Sequence, residues 1–191
     1  MSRPPRDALR REILTVSGRL FTTLGFRATS LQMIADEVSC SKASLLYHFK
    51  SKAAILDALI AGLGDDLEQM IVRLEETPDA DQLARALELS VALVVRHRSA
   101  LAMLRGLDEI AEVSAVAIRS QEWADRARAI LAGGPEPTPL RQAAALTLEH
   151  GLLGACLALP DLTDEELAGC LLQVGARILA LDPAGLGPLP A

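Results

Sequence analysis

Hydroxyl, amine and small side chains crowd into one short stretch of this 191-residue chain: Thr29, Ser30, Ser41, Lys42, Ala43, Ser44, Tyr47, His48 and Lys52. None of them forms a nucleophile–base pair, but they are the residue types that bond phosphate oxygens and base edges. A helix entering a DNA major groove, about 12 Å wide, needs small or hydrogen-bonding residues on the exposed face of its N-terminal end. Lys42, Ala43 and Ser44 meet that demand, and Leu45 and Phe49 suit the opposite, anchoring face. Thr29, Tyr47, His48 and Lys52 stand where hydroxyls and cations meet phosphates. Taken singly, each reads as ordinary helix surface, so the elements around them decide.

Those elements are helical. Leu9, Ile13, Val16, Leu20 and Leu24 recur at three- and four-residue steps, with Phe21 widening the face, and Gly25 follows where a left-handed stop is needed. Thr29 and Gln32 have the spacing of a capping box, predicting a short second helix with Leu31, Ile34, Ala35 and Val38 inward. Ser41 is placed to cap a third helix beginning at Lys42. Beyond Lys52 the pattern predicts helices over about 53–76, 79–97, 99–106, 108–131, 140–159 and 163–181, with a Pro/Gly-rich loop at 132–139 and an irregular tail from Asp182. No strand-length alternation occurs. The expected fold is all-α, about nine helices, with a three-helix helix-turn-helix head (residues 1–52) and a helical body (53–191).

Charge divides at the same place. Residues 1–52 hold nine basic side chains against four acids, net +5; residues 53–191 hold ten arginines against 21 acids, net −11. A basic head on an acidic body suits a head that meets a polyanion and a body that does not. Arg3, Arg6, Arg10 and Arg11 form a basic arm that can reach the same polyanion or stay solvated.

The stretch Ile13-Leu14 … Leu20-Phe21 … Gly25-Phe26 … Thr29-Ser30 … Ile34-Ala35 … Ser41-Lys42-Ala43-Ser44-Leu45 … Tyr47-His48-Phe49-Lys50-Ser51-Lys52 resembles the DNA-binding domain of the TetR/AcrR family of bacterial transcriptional regulators. The resemblance covers about residues 9–60. It implies a homodimer whose heads bind operator DNA and whose bodies dimerise and hold a small-molecule effector, with no cofactor. Two positions depart from the family pattern. Ser39 stands in the turn where Gly is usual, and a left-handed backbone there costs a non-glycine residue about 1 kcal/mol. Leu46 stands where the family usually carries a phosphate-binding Tyr.

In the body, polar groups on apolar faces are the candidate effector ligands: Arg105, Trp123, Thr147 and His150. The alternative is that Trp123 is a core or interface residue and His150 a buried histidine with its hydrogen bonds satisfied. Trp123 is the body's one aromatic side chain, which favours an aliphatic pocket for a small apolar effector. Gly151, Gly154, Ala155 and Ala158 offer close helix approach, and Leu167, Leu171, Val174, Ile178 and Leu181 form a stripe, together predicting a four-helix dimer interface. The three histidines are too scattered for a metal site. The three cysteines, Cys40, Cys156 and Cys170, argue against a disulfide framework. Cys40, beside the third helix, raises redox sensing as a minor alternative to a buried thiol.

The expectation is therefore a ligand-responsive, DNA-binding regulator, a repressor that binds a pseudo-palindromic operator as a homodimer. Ser39 and Leu46 favour an alternative: a dimeric helical module binding a small molecule or protein that has lost operator binding. An enzyme has no support from nucleophile, metal or phosphate-loop patterns. No run of 18 apolar residues and no secretory-signal pattern follows Met1, so a cytoplasmic protein without membrane contact is expected.

Overall fold

The computed structural model describes residues 6–104 and 114–181, with nine α-helices and no strand among them. They are α1 (Arg6–Leu24), α2 (Leu31–Glu37), α3 (Lys42–His48), α4 (Lys52–Glu75), α5 (Asp79–Arg96), α6 (Arg98–Leu104), α7 (Ala115–Leu131), α8 (Pro139–Ala158) and α9 (Asp164–Leu179). The predicted tail from Asp182 lies outside the described residues, as does the expected helical stretch 108–113; α7 begins after Ser114, which is not helical.

The chain forms two compact units. Among the described residues, one comprises 6–62 together with 102–104 and 114–118; the other comprises 63–101 and 119–181. The head unit therefore includes the first turns of α4, where Ile55, Leu56 and Ile60 are buried.

In the head, α1 packs on α2 and α2 on α3. The buried face of α1 is Ile13, Ser17, Leu20 and Phe21, a helical stripe at the expected period, whereas Leu24 is exposed. Gly25 stops α1 with φ +89° and donates its N–H to the Phe21 carbonyl at 3.1 Å. Phe26 returns to meet the Phe21 ring edge-on, centroids 5.1 Å apart.

The start of α2 corrects the predicted capping box. Ser30, not Thr29, is the N-cap: its Oγ accepts from the Met33 N–H at 3.1 Å. Gln32 points forward, donating to Asp36 Oδ1 at 2.6 Å. Thr29 is instead 1% exposed, and its hydroxyl donates to the Gly25 carbonyl at 2.9 Å.

In the body, α4, α5, α7, α8 and α9 share one core that includes Ile71, Leu74, Leu87, Val91, Leu148, Leu152, Leu167 and Leu171. The α5–α9 pair approaches closely because α9 places Gly175 against Leu87; a Cβ there would lie 2.4 Å from Leu87 Cδ1. Leu167 and Leu171 thus belong to the chain's own core, and of the expected interface stripe Val174 is the exposed member. Caps are local and strong: Thr138 caps α8, and Thr163 with Glu166 forms a full capping box on α9.

Candidate nucleic-acid interface

The turn between α2 and α3 fixes the site. Ser39 adopts φ 58°, the left-handed conformation for which glycine is usual, and the Cys40 N–H donates back to the Ala35 carbonyl at 2.9 Å. Ser41 then caps α3, its Oγ accepting from the Ser44 N–H at 3.0 Å. With the helix started there, Leu45 is fully buried and Phe49 nearly so.

What remains outward is a face of Lys42, Ala43, Leu46 and Tyr47, with Ser44 and His48 half-buried at its sides. Tyr47 is 68% exposed, and its ring stands edge-on to His48 with centroids 5.4 Å apart. Ser30, Ser41, Lys42 and Lys50 are exposed, as are Arg10, Arg11 and Arg27. Arg10 also lies over the Phe49 ring, 5.0 Å from its centroid.

Two predicted phosphate ligands are used otherwise. Thr29 is buried, so its hydroxyl serves the α1–α2 loop. Lys52 reaches back across that loop: its Nζ donates to the carbonyls of Phe26 (2.6 Å), Thr29 (2.7 Å) and Arg27 (3.3 Å) and lies 4.4 Å from the Phe26 ring centroid. An ammonium has three donors, and all three are committed. Burial pushes the Lys52 ammonium below its usual pKa. The Cys40 thiol is pushed up by burial and by nearby Glu12, which keeps it from the thiolate form that oxidation needs.

The body's predicted effector ligands do not converge. Arg105 lies outside the described residues. Trp123 is half-buried under the Arg126 guanidinium, 4.6 Å from the ring centroid, and Arg126 also pairs with Glu75. Thr147 and His150 are exposed on α8, because the buried face of that helix is Ala145, Leu148, Leu152 and Cys156. His150 Nδ1 donates to the Leu146 carbonyl at 2.9 Å.

A cavity of about 510 Å³ opens elsewhere, between α4, α5 and α9. Met70, Leu89, Leu93 and Ala168 give it apolar surface, and Asp66, Gln69, Arg73, Arg96, Asp164 and Glu165 give it polar groups. Asp66 holds one end of this arrangement, bonded to His97 Nε2 at 2.7 Å and 3.6 Å from Arg96 Nε. Sequence reasoning passed over these residues because charged side chains on amphipathic helices read as solvated surface. No group of three or more potential metal ligands occurs among the described residues.

A three-helix head presenting a capped helix, joined in one chain to an all-helical body, has the helix-turn-helix architecture. Residues 13–59 match the family model described as "Bacterial regulatory proteins, tetR family". That match lies within the head unit and spans about a quarter of the chain. It is 37% identical over 73 residues to the HTH-type transcriptional repressor KstR2 of Rhodococcus jostii (strain RHA1), an alignment covering 35% of this chain and 36% of that protein. The chain thus spans about a third of the length of that curated relative. Among solved structures, a TetR-like transcriptional regulator from Rhodococcus sp. RHA1 is 23% identical with a TM-score of 0.63, covering 93% of this chain and 99% of the other. AibR, in complex with isovaleryl coenzyme A and operator DNA, is 24% identical with a TM-score of 0.56, covering 92% and 98%. At these identities the two structures share the fold.

Proposed function

We propose that the chain is a ligand-responsive transcriptional repressor that binds a pseudo-palindromic operator as a homodimer. The observation that carries this reading is the outward face of α3. Lys42, Ala43 and Tyr47 point away from the head on a helix fixed by the Ser41 cap and the Leu45 anchor. Seven residues at 1.5 Å each make a probe about 10 Å long, which suits the floor of a major groove. Ser30, Ser41, Lys42, Ser44, Tyr47 and His48 act as DNA contacts in this reading, while Thr29 and Lys52 hold the loop that orients them.

Two copies pair through α8 and α9. Leu146 and Val174 are exposed there, and Gly151 and Gly169 leave room for close approach. Recognition helices held about 34–36 Å apart then meet successive major grooves. The 510 Å³ cavity lies within the usual size of small-molecule sites and supports a small, largely apolar effector with a polar end. AibR, which shares the fold, carries both a small-molecule thioester and operator DNA, which supports the same division of labour here.

α4 runs without a break from Lys52 to the cavity residues Asp66, Gln69, Met70 and Arg73. In this reading α4 is the element through which effector binding reaches the head. The reading includes a cytoplasmic location and no catalysis. None of the described helices is long and apolar enough to cross a membrane.

The test is selection from random duplex DNA by the purified chain at near-physiological salt. The expected result is an enriched pseudo-palindrome whose sequence preference changes in Lys42→Ala and Ser44→Ala. No enrichment by a folded dimer even at low salt would instead support the rival reading, a dimeric helical binding module whose head has lost its operator. Ser39 in the turn and Leu46 on α3 are the residues that favour that rival.

A further inference from the structure

The adjacent leucines of α3 meet opposite fates. Leu45 is fully buried, and with Phe49 it anchors the helix. Leu46 is 38% exposed. At 100° per residue, Lys42, Leu46, Ala43 and Tyr47 follow one another around the outward face, so Leu46 sits between Lys42 and Ala43, in its interior. The exposed part of its isobutyl group gains nothing from solvent. It is the one aliphatic side chain larger than alanine on that face, with Ala43 and the amphipathic Tyr47 beyond it.

From this placement we infer that Leu46 is a specificity-determining residue that reads thymine, with Ala43 beside it. The inference rests on the reading of α3 as the recognition helix. In the major groove the bases offer donors and acceptors, and the C5-methyl of thymine is their apolar exception. Leu46 attracts that methyl by excluding water between them. Against guanine, cytosine or adenine it covers polar edges that it cannot bond, so discrimination comes from rejection as well as attraction. Ala43 lies one turn away, a rise of about 4.5 Å, close to the roughly 3.4 Å base-pair step. The pair therefore suits thymines at the same or neighbouring base pairs. Lys42 and Tyr47, on either side, supply the polar contacts that hold the register. A single partly exposed leucine beside Lys42 is too small a surface to dock an apolar partner.

The test uses the full chain and its selected operator. Each thymine is replaced singly by uracil, which removes the C5-methyl and nothing else, and affinities are measured by fluorescence anisotropy. The expected result is one position, or an adjacent pair, in each half-site where uracil weakens binding about fourfold. Substitution in both half-sites should weaken it about sixteenfold. Leu46→Ala, whose fold is checked by circular dichroism, should bind the thymine and uracil operators equally. Ala43→Gly should blunt the effect only at the neighbouring position. Uracil without effect at every position overturns the inference, and so does methyl discrimination that persists in Leu46→Ala. Failure of the folded chain to select any sequence is a different result, which removes the regulator reading itself.

Discussion

Replacing Lys52 by Met separates a loop clamp from a phosphate ligand. In the structure its ammonium holds three carbonyls of the α1–α2 loop, two of them at 2.6 and 2.7 Å. Hydrogen bonds to a charged donor contribute about 1.5–3 kcal/mol each. The low end applies here, because the loop carbonyls are partly exposed and regain water once the ammonium is gone. Two bonds at about 1.5 kcal/mol, with about 0.5 kcal/mol from the Phe26 ring contact, make about 3.5 kcal/mol. The desolvation that lowers the Lys52 pKa, together with the packing that Met recovers, offsets part of this, leaving a loss of about 2 kcal/mol. For a chain of this size that lowers Tm by about 4–8 °C, read by circular dichroism. The DNA readout distinguishes the roles. A side chain that neutralises a phosphate contributes about 0.9 to the slope of log K against log salt, whereas a loop clamp contributes almost nothing. Lys52→Met should therefore lower Tm while leaving the salt slope unchanged at temperatures where the head is folded. An unchanged Tm with a slope reduced by about 0.9 per head would refute the clamp and return Lys52 to the phosphates.

Gly175→Ala places a methyl 2.4 Å from Leu87 Cδ1 and 3.2 Å from Leu148 Cδ1, side chains with no exposed surface to retreat into. Overpacking of about 2 kcal/mol should outweigh the roughly 1 kcal/mol of gained helix propensity and lower Tm by a few degrees; a higher Tm would show that α5 and α9 have slack. Ser39→Gly should raise stability by about 0.5–1 kcal/mol in chemical denaturation, since it relieves a left-handed serine at φ 58°, and a loss would mean that the serine side chain makes a compensating contact. Glu166 is held below its usual pKa by hydrogen bonds from Thr163, so its contribution is complete above the unfolded-state value and fades as pH falls through the lower, folded-state one. Glu166→Gln should flatten that part of the acid limb of a stability–pH profile, and an identical acid limb in the two proteins would count against the capping role.

The residues that the sequence placed well are those whose partners lie within one helical turn. Ser41 caps the helix that begins one residue later, and Gly25 ends α1 against a carbonyl four residues back. Such contacts depend on spacing alone, which a sequence displays. The misplaced residues answer to distant partners. Lys52 bonds carbonyls 23–26 residues earlier, and no local rule separates it from a solvent-facing lysine. Thr29 and Ser30 are adjacent hydroxyls, either of which can start α2; the choice is made by Gly25 and Leu20, whose carbonyls draw Thr29 inward.

On α8 the ambiguity is one of rotation. Alanines and leucines surround much of that helix, so the face bearing Thr147 and His150 and the face bearing Ala145, Leu148, Leu152 and Cys156 both read as inward. Packing against α9 and α5 selects the second, and leaves the first outward on the side where a second copy is proposed to sit. The cavity shows the converse error. Asp66, Arg73 and Arg96 look like solvated charge on their own helices, and only the meeting of α4, α5 and α9 turns them toward one space. A site built from three helices is legible in sequence only where one residue is anomalous for its position. Leu46 is such a residue: it stands between Lys42 and Ala43 on the outward face of α3, and the DNA reading offers it a partner in the thymine methyl.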